Sequence, residues 1–170
     1  MNQQIIISGI GGQGVLFMTR VIAEAAMGKG MPVLTSETHG MAMRGGTVIS
    51  HVRIGTFHSP LIRAAHADTG LFLNSANLEV HRGFMKPDGL MFVNTPKAGD
   101  YFSVDATRIA KENAFLVITN LVLLGYAVSK DGLFCDAAMV ETVIRKISPT
   151  RQVESNLQGF ALGVTAGLSG

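Results

Sequence analysis

The stretch Ile5-Ile6-Ile7-Ser8-Gly9-Ile10-Gly11-Gly12-Gln13-Gly14 decides the fold. Three β-branched residues run into a glycine cluster, and an apolar pattern of helical period begins at Val15. That order predicts a buried strand, a tight turn and a helix N-terminus. Gly9, Gly11 and Gly14 carry G-x-G-x-x-G spacing. Glycine suits such a turn because it accepts positive φ and lets a ligand or another backbone come close. The free N–H groups at the helix start, at the positive end of its dipole, can hold an anion.

Downstream, Val15 to Met27 reads as a helix with Val15, Met18, Ile22, Ala25 and Ala26 on one face, ended by Gly28-Lys29-Gly30. Pro32-Val33-Leu34-Thr35 reads as a second strand. Strand, helix and strand in so short a span predict a βαβ unit with parallel pairing and a right-handed crossover. Glu37 follows about 20 residues after the glycines, where a dinucleotide-binding domain places its ribose-binding acid. One reading is therefore a free-standing dinucleotide-binding protein using Gly9, Gly11, Gly14 and Glu37.

The next segment, Ser36-Glu37-Thr38-His39-Gly40-Met41-Ala42-Met43-Arg44-Gly45-Gly46, sets both signs of charge and an imidazole among glycines. It reads either as a solvated surface loop or as a second binding loop over the first. In the second case Arg44 presents its planar fork to a phosphate or carboxylate. Thr47 to Gly55 alternates Val48, Val52 and Ile54 with His51 and Arg53, which predicts a half-exposed strand, antiparallel or at an edge.

Further strands are expected at Gly70 to Leu73, at Leu90 to Asn94 after a Lys86-Pro87-Asp88-Gly89 turn, and at Phe102 to Val104. Helices are expected at Ala76 to Phe84 with Asn74 or Ser75 as cap, at Ala106 to Glu112, at Thr119 to Val128, at Asp136 to Lys146 and at Val153 to about Leu162. The tail Gly163 to Gly170 is expected to fray. The alternation predicts a three-layer α/β/α fold with a largely parallel, possibly mixed sheet, a Rossmann-like start and a helical last third.

The 170 residues fit one domain spanning 1–170. The chain is 47% hydrophobic and only 15% charged, so a partner subunit is one place for its surplus apolar surface. Its formal charge is +2 and its basic residues are scattered, which leaves no footprint for nucleic acid. No apolar run approaches the ~18 residues a membrane span needs. The first residues lack a signal peptide's basic region, so a cytoplasmic location is expected. The single cysteine, Cys135, cannot form an internal disulfide or hold a cluster, and reads as a small buried residue.

Catalytic patterns are absent from the sequence. Ser8 is not in a nucleophile elbow, no Gly-Lys-Ser/Thr follows the glycines, and His39, His51, His58, His66 and His81 have no ligand spacing. No catalytic residue and no metal ligand is assigned.

Ile7 to Val15, Ser36 to Gly46 and Ser50-His51-Val52-Arg53 together resemble the gamma subunit or domain of the 2-oxoacid:ferredoxin oxidoreductases. The Glu-x-His-Gly-Met-Ala-x-Arg-Gly-Gly form is most similar to the small (beta) subunits of the indolepyruvate branch. The likeness continues through Lys86 to Asn94, Thr119 to Gly125 and Glu154 to Gly163, so it covers nearly the whole chain.

The resemblance implies a non-redox subunit of an enzyme that oxidatively decarboxylates a 2-oxoacid, transfers the acyl group to coenzyme A and reduces ferredoxin. Thiamine diphosphate, Mg2+ and the iron–sulfur clusters are then expected in partner subunits, and the isolated chain is expected to be inactive. An isolated chain left with an uncovered interface is also a candidate for self-association. Under this reading Gly9, Gly11, Gly12, Gln13, Gly14, Glu37, His39, Arg44, Gly45 and Gly46 line a surface near the substrate, coenzyme A or the partner subunit. A purely structural role in assembly is the remaining alternative.

Overall fold

The computed structural model describes residues 1–39, 46–113 and 118–170. Among these residues six strands form one sheet in the order β2-β3-β1-β4-β5-β6. The strands are β1 (Gln3–Ile10), β2 (Val33–His39), β3 (Thr47–Ile54), β4 (Ala67–Phe72), β5 (Met85–Asn94) and β6 (Phe102–Val104). Ile5, Ile6 and Ile7 are fully buried because β1 is central and both of its faces are covered. That is the burial a continuous apolar run requires.

The sheet is mixed. β1 pairs in parallel with β4, β4 with β5, and β5 with β6, whereas β3 is antiparallel to both β1 and β2. The expected parallel β1–β2 pair does not form. β3 inserts between the two strands, so β2 runs along an edge with most of its residues exposed or half-buried. β3 is antiparallel as expected but is neither half-exposed nor an edge. Val48, Val52 and Ile54 pack in the core under the first helix, and His51, on the opposite face, is 4% exposed.

One face of the sheet carries α1 (Val15–Gly28), α3 (Ala106–Glu112), α4 (Thr119–Ser129), α5 (Ala137–Ile147) and α6 (Val153–Leu168). The other face is covered by a smaller apolar cluster in which Ile6, Ile49, Ile62, Phe72 and Val93 meet Leu78 and Phe84. The helix expected at 76–84 is broken there. Only Leu78–His81 is α-helical (α2), between single 3-10 turns at Ser75–Asn77 and Arg82–Phe84. Asn74 caps this segment by accepting from Ala76 N at 3.0 Å.

Two further expectations change. Lys86 to Gly89 is not a turn between elements but a bulge inside β5, since Ala67 faces Met85 and Thr69 already faces Leu90. Nor does the tail fray, for α6 continues to Leu168. The reason is contact with α4. An added Cβ would lie 2.1 Å from Phe160 O at Gly125 and 2.0 Å from Val122 O at Gly163. The missing side chains let the two helix backbones touch. Gly159, Gly163 and Gly167 recur at the four-residue spacing that keeps them on one side of α6.

Candidate functional site

The glycine loop is held from four sides. Gln13 folds back so that its Oε1 accepts from Ile10 N at 2.8 Å and its Nε2 donates to Leu73 O at 3.3 Å. Asn77 Nδ2 donates to Gly9 O at 2.8 Å. Gly11 N donates to Gly46 O at 2.8 Å, which brings the entry to β3 against the loop. Asn120, at the start of α4, donates to Gly14 O at 3.2 Å.

Each glycine has its own reason. At Gly9 an added Cβ would sit 2.9 Å from Val15 Cγ2, so this glycine permits the close strand–helix approach. Gly14 has φ +82°, and a Cβ there would lie 2.4 Å from Asn120 Nδ2. Gly12 has φ +91°, and among the described residues nothing lies within 4 Å of an added Cβ there. A shallow pocket of about 310 Å³ begins there, lined by Gly11, Gly12, Gly14, Leu16, His39 and Val48. Leu16, in the first turn of α1 beside the loop, is 48% exposed.

The sequence-derived residues therefore divide. Gly9, Gly11, Gly12, Gln13 and Gly14 form one loop, and both His39 and Gly46 reach it. Glu37 does not line that pocket. It pairs with Ser50, whose other partner is Ile7, so it stands level with the middle of β1 and two strands away from it. Strands are spaced ~4.8 Å apart, which puts β2 about 10 Å from β1 instead of beside it. The geometry that lets a dinucleotide-binding acid reach a ribose over the glycine turn is missing. Arg44 and Gly45 lie outside the described residues.

Beneath the loop runs a polar network that the sequence reading did not single out. Ser8, fully buried, accepts from Asn77 Nδ2 at 3.1 Å and shares a 2.7 Å hydrogen bond with His81 Nδ1. His51 Nδ1 accepts from Ile62 N at 3.2 Å, and its ring meets Phe84 edge-on at 5.2 Å. Burial lowers the pKa of both imidazoles, and the neighbouring His81 lowers that of His51 further. The folded state thus favours the neutral rings.

The sign of the linkage follows. Stability from these histidines is present above the unfolded value of about 6.5 and is lost as pH falls below it. The melting temperature is expected to fall between pH 7.5 and pH 5. His51→Asn, which keeps an acceptor for Ile62 N but does not titrate, should flatten that fall. A melting profile unchanged by the substitution would contradict this account.

Thiol chemistry is not available at the one cysteine. Cys135 is 4% exposed, and burial pushes its pKa up to about 11. A lone protonated thiol does not fit an iron–sulfur cluster, which takes several thiolates. No helix among the described residues is long and apolar enough to cross a membrane.

A family model described as pyruvate ferredoxin/flavodoxin oxidoreductase matches residues 4–166. The chain belongs to that family. Indolepyruvate oxidoreductase subunit IorB of Archaeoglobus fulgidus is 32% identical, with 100% of this chain and 98% of the relative covered. The subunit of the same name from Methanothermobacter thermautotrophicus is 30% identical, with 98% of each chain covered. The fold is that of the keto/oxoacid ferredoxin oxidoreductase gamma subunit from Geobacter sulfurreducens PCA, with a TM-score of 0.77, 24% identity and 99% of each chain covered. These family members are oxidoreductase subunits, and the family match over residues 4–166 spans both the glycine loop and the α4–α6 pair.

Proposed function

We propose that this chain is the small, non-redox subunit of a 2-oxoacid:ferredoxin oxidoreductase, working as a single cytoplasmic domain over residues 1–170. Such an enzyme decarboxylates a 2-oxoacid oxidatively, forms acyl-coenzyme A and passes electrons to ferredoxin. Full-length likeness to indolepyruvate subunits favours an aryl 2-oxoacid such as indolepyruvate as substrate. Thiamine diphosphate, Mg2+ and the iron–sulfur clusters are assigned to partner subunits, in keeping with this chain's buried, protonated cysteine.

The observation that carries the proposal is the state of the glycine loop. Its inner side is tied by Gln13, Asn77 and Asn120, while among the described residues its outer side is unobstructed at Gly12 and rimmed by the exposed Leu16 and His39. A pocket of about 310 Å³ is at the low end of ligand sites and small for coenzyme A. The loop therefore serves best as one wall of a site whose other wall the thiamine-diphosphate subunit supplies, with the substrate carboxylate or coenzyme A phosphates near Gly11–Gly14 and Arg44–Gly46.

The test is Arg44→Ala in the enzyme reconstituted with its catalytic subunit. Loss of one charge-assisted contact, worth about 1.5–3 kcal/mol, should raise the KM for coenzyme A or the oxoacid roughly ten- to hundred-fold while the complex still assembles. Unchanged kinetics with unchanged assembly would contradict the proposal.

A further inference from the structure

We propose that a second pocket, at the opposite end of β1 from the glycine loop, binds the phosphate group of a small phosphate ester. Its occupant is separate from whatever the glycine loop meets, because the two lie at opposite ends of β1, about 20 Å apart at ~3.3 Å per residue. This inference does not depend on the oxidoreductase reading.

The pocket has a volume of about 560 Å³, and its lining includes Gln4, Arg53, Phe57, His58, Arg63 and His66. Every ionisable side chain on that lining is basic. Arg53 is fixed in place. Its NH1 donates to Ser59 O at 2.8 Å and Leu61 O at 3.1 Å, and its guanidinium stacks on Phe57 at 3.9 Å from the ring centroid. Carbonyl dipoles and a ring face attract a cation, but neither supplies a full opposite charge. Among the described residues no carboxylate pairs with Arg53, and its Nε is buried without a hydrogen-bond partner.

Gln4, its cross-strand neighbour, is 9% exposed and spends its Nε2 donor on His66 O at 3.1 Å. Asp68, the carboxylate that touches Gln4, is already engaged. It accepts from Gln4 N at 2.7 Å and pairs with Lys86. The positive charge of the pocket therefore lacks a counter-ion from the protein. A partly desolvated cation in that state gains more from an anion than a solvated surface arginine does.

The loop that forms the pocket is built and held. Residues 55–66 form a loop without helix or strand between β3 and β4. Ala65 takes φ +60°, unfavourable for a residue with a Cβ, and is kept there by hydrogen bonds from Ala65 N to Gly83 O and from His66 N to Phe84 O, both 2.9 Å. Donor groups come from the strand at Arg53 and from the loop at His58 and Arg63, while His66 Nδ1 is spent on Ala64 O at 2.7 Å. Donors on several walls suit a tetrahedral phosphate better than a planar carboxylate, which takes a fork from one side. The volume leaves room for a small organic group beside the phosphate.

The test is an amide-resolved NMR titration of the full chain with inorganic phosphate and with glycerol 3-phosphate, with acetate at matched ionic strength as the comparison. Both phosphates should produce saturable shifts confined to residues 53–66 and their β1 neighbours, with glycerol 3-phosphate at least as tight as the inorganic ion. Acetate should bind at least five-fold more weakly. Arg63 is exposed, so Arg63→Ala should fold normally and weaken phosphate at least five-fold, whereas His39→Ala, at the glycine loop, should leave it unchanged. Shifts that do not saturate, an equal response to acetate, wild-type affinity in Arg63→Ala, or shifts centred on the glycine loop would each overturn the proposal.

Discussion

Gly163→Ala is expected to lower stability by about 2–3 kcal/mol, although alanine is the better helix former by ~1 kcal/mol. The added Cβ would stand 2.0 Å from Val122 O and 2.9 Å from Tyr126 N, both backbone atoms that no rotamer change can move aside. α4 and α6 must separate, and α4 is a helix whose residues 120–128 are all buried. For a chain of this size the loss corresponds to a fall of roughly 5–10 °C in Tm. Gly28→Ala is the matched control. At the end of α1 an added Cβ meets nothing within 4 Å, so the same substitution should be neutral or slightly stabilising there. Equal effects at the two positions, measured by thermal denaturation, would show that close backbone contact is not what these glycines provide.

Much of this architecture was legible in the chain, and the failures have identifiable causes. The buried run at Ile5–Ile7, the glycine turn and the α1 periodicity are local signals, and each sits where the sequence places it. The neighbour of β1 is not a local property. Residues 5–35 carry the same strand–helix–strand pattern whether or not a later strand inserts between the first two, and here β3 does. Its alternation was likewise misleading, because His51 is polar by type yet fully accommodated by Ile62 N and Phe84. In the tail, glycines that read as helix breakers are packing positions, a meaning they acquire only opposite Val122 and Tyr126 of α4.

At the site, the glycines and His39 could be read from type and spacing. Asn77, Asn120 and the Ser8–His81 pair could not, since they come from elements distant in sequence. Asn120 stood in the Thr119 to Gly125 stretch that carries the family resemblance, but its contact with Gly14 was not readable there.

The second large effect concerns assembly. Leu16 is 48% exposed on the rim of the glycine-loop pocket, and in the proposed complex it faces the partner subunit. Leu16→Asp should leave the isolated chain folded, because an acidic residue in the first turn of α1 complements the helix dipole. The same carboxylate, buried in an apolar interface without a partner, should weaken the complex by about 2 kcal/mol or more, roughly 30-fold in Kd. A variant that co-purifies with the catalytic subunit as the wild type does would place the interface elsewhere.

The proposed role of the chain as a subunit the enzyme needs is tested most directly by the rate of ferredoxin reduction by the thiamine-diphosphate subunit, measured with 2-oxoacid and coenzyme A as this chain is titrated in. The expected result is a rate that rises with added chain and levels off at a fixed subunit ratio, with Leu16→Asp needing far more protein to reach the same plateau. A catalytic subunit that runs at its full rate without the chain would contradict the account.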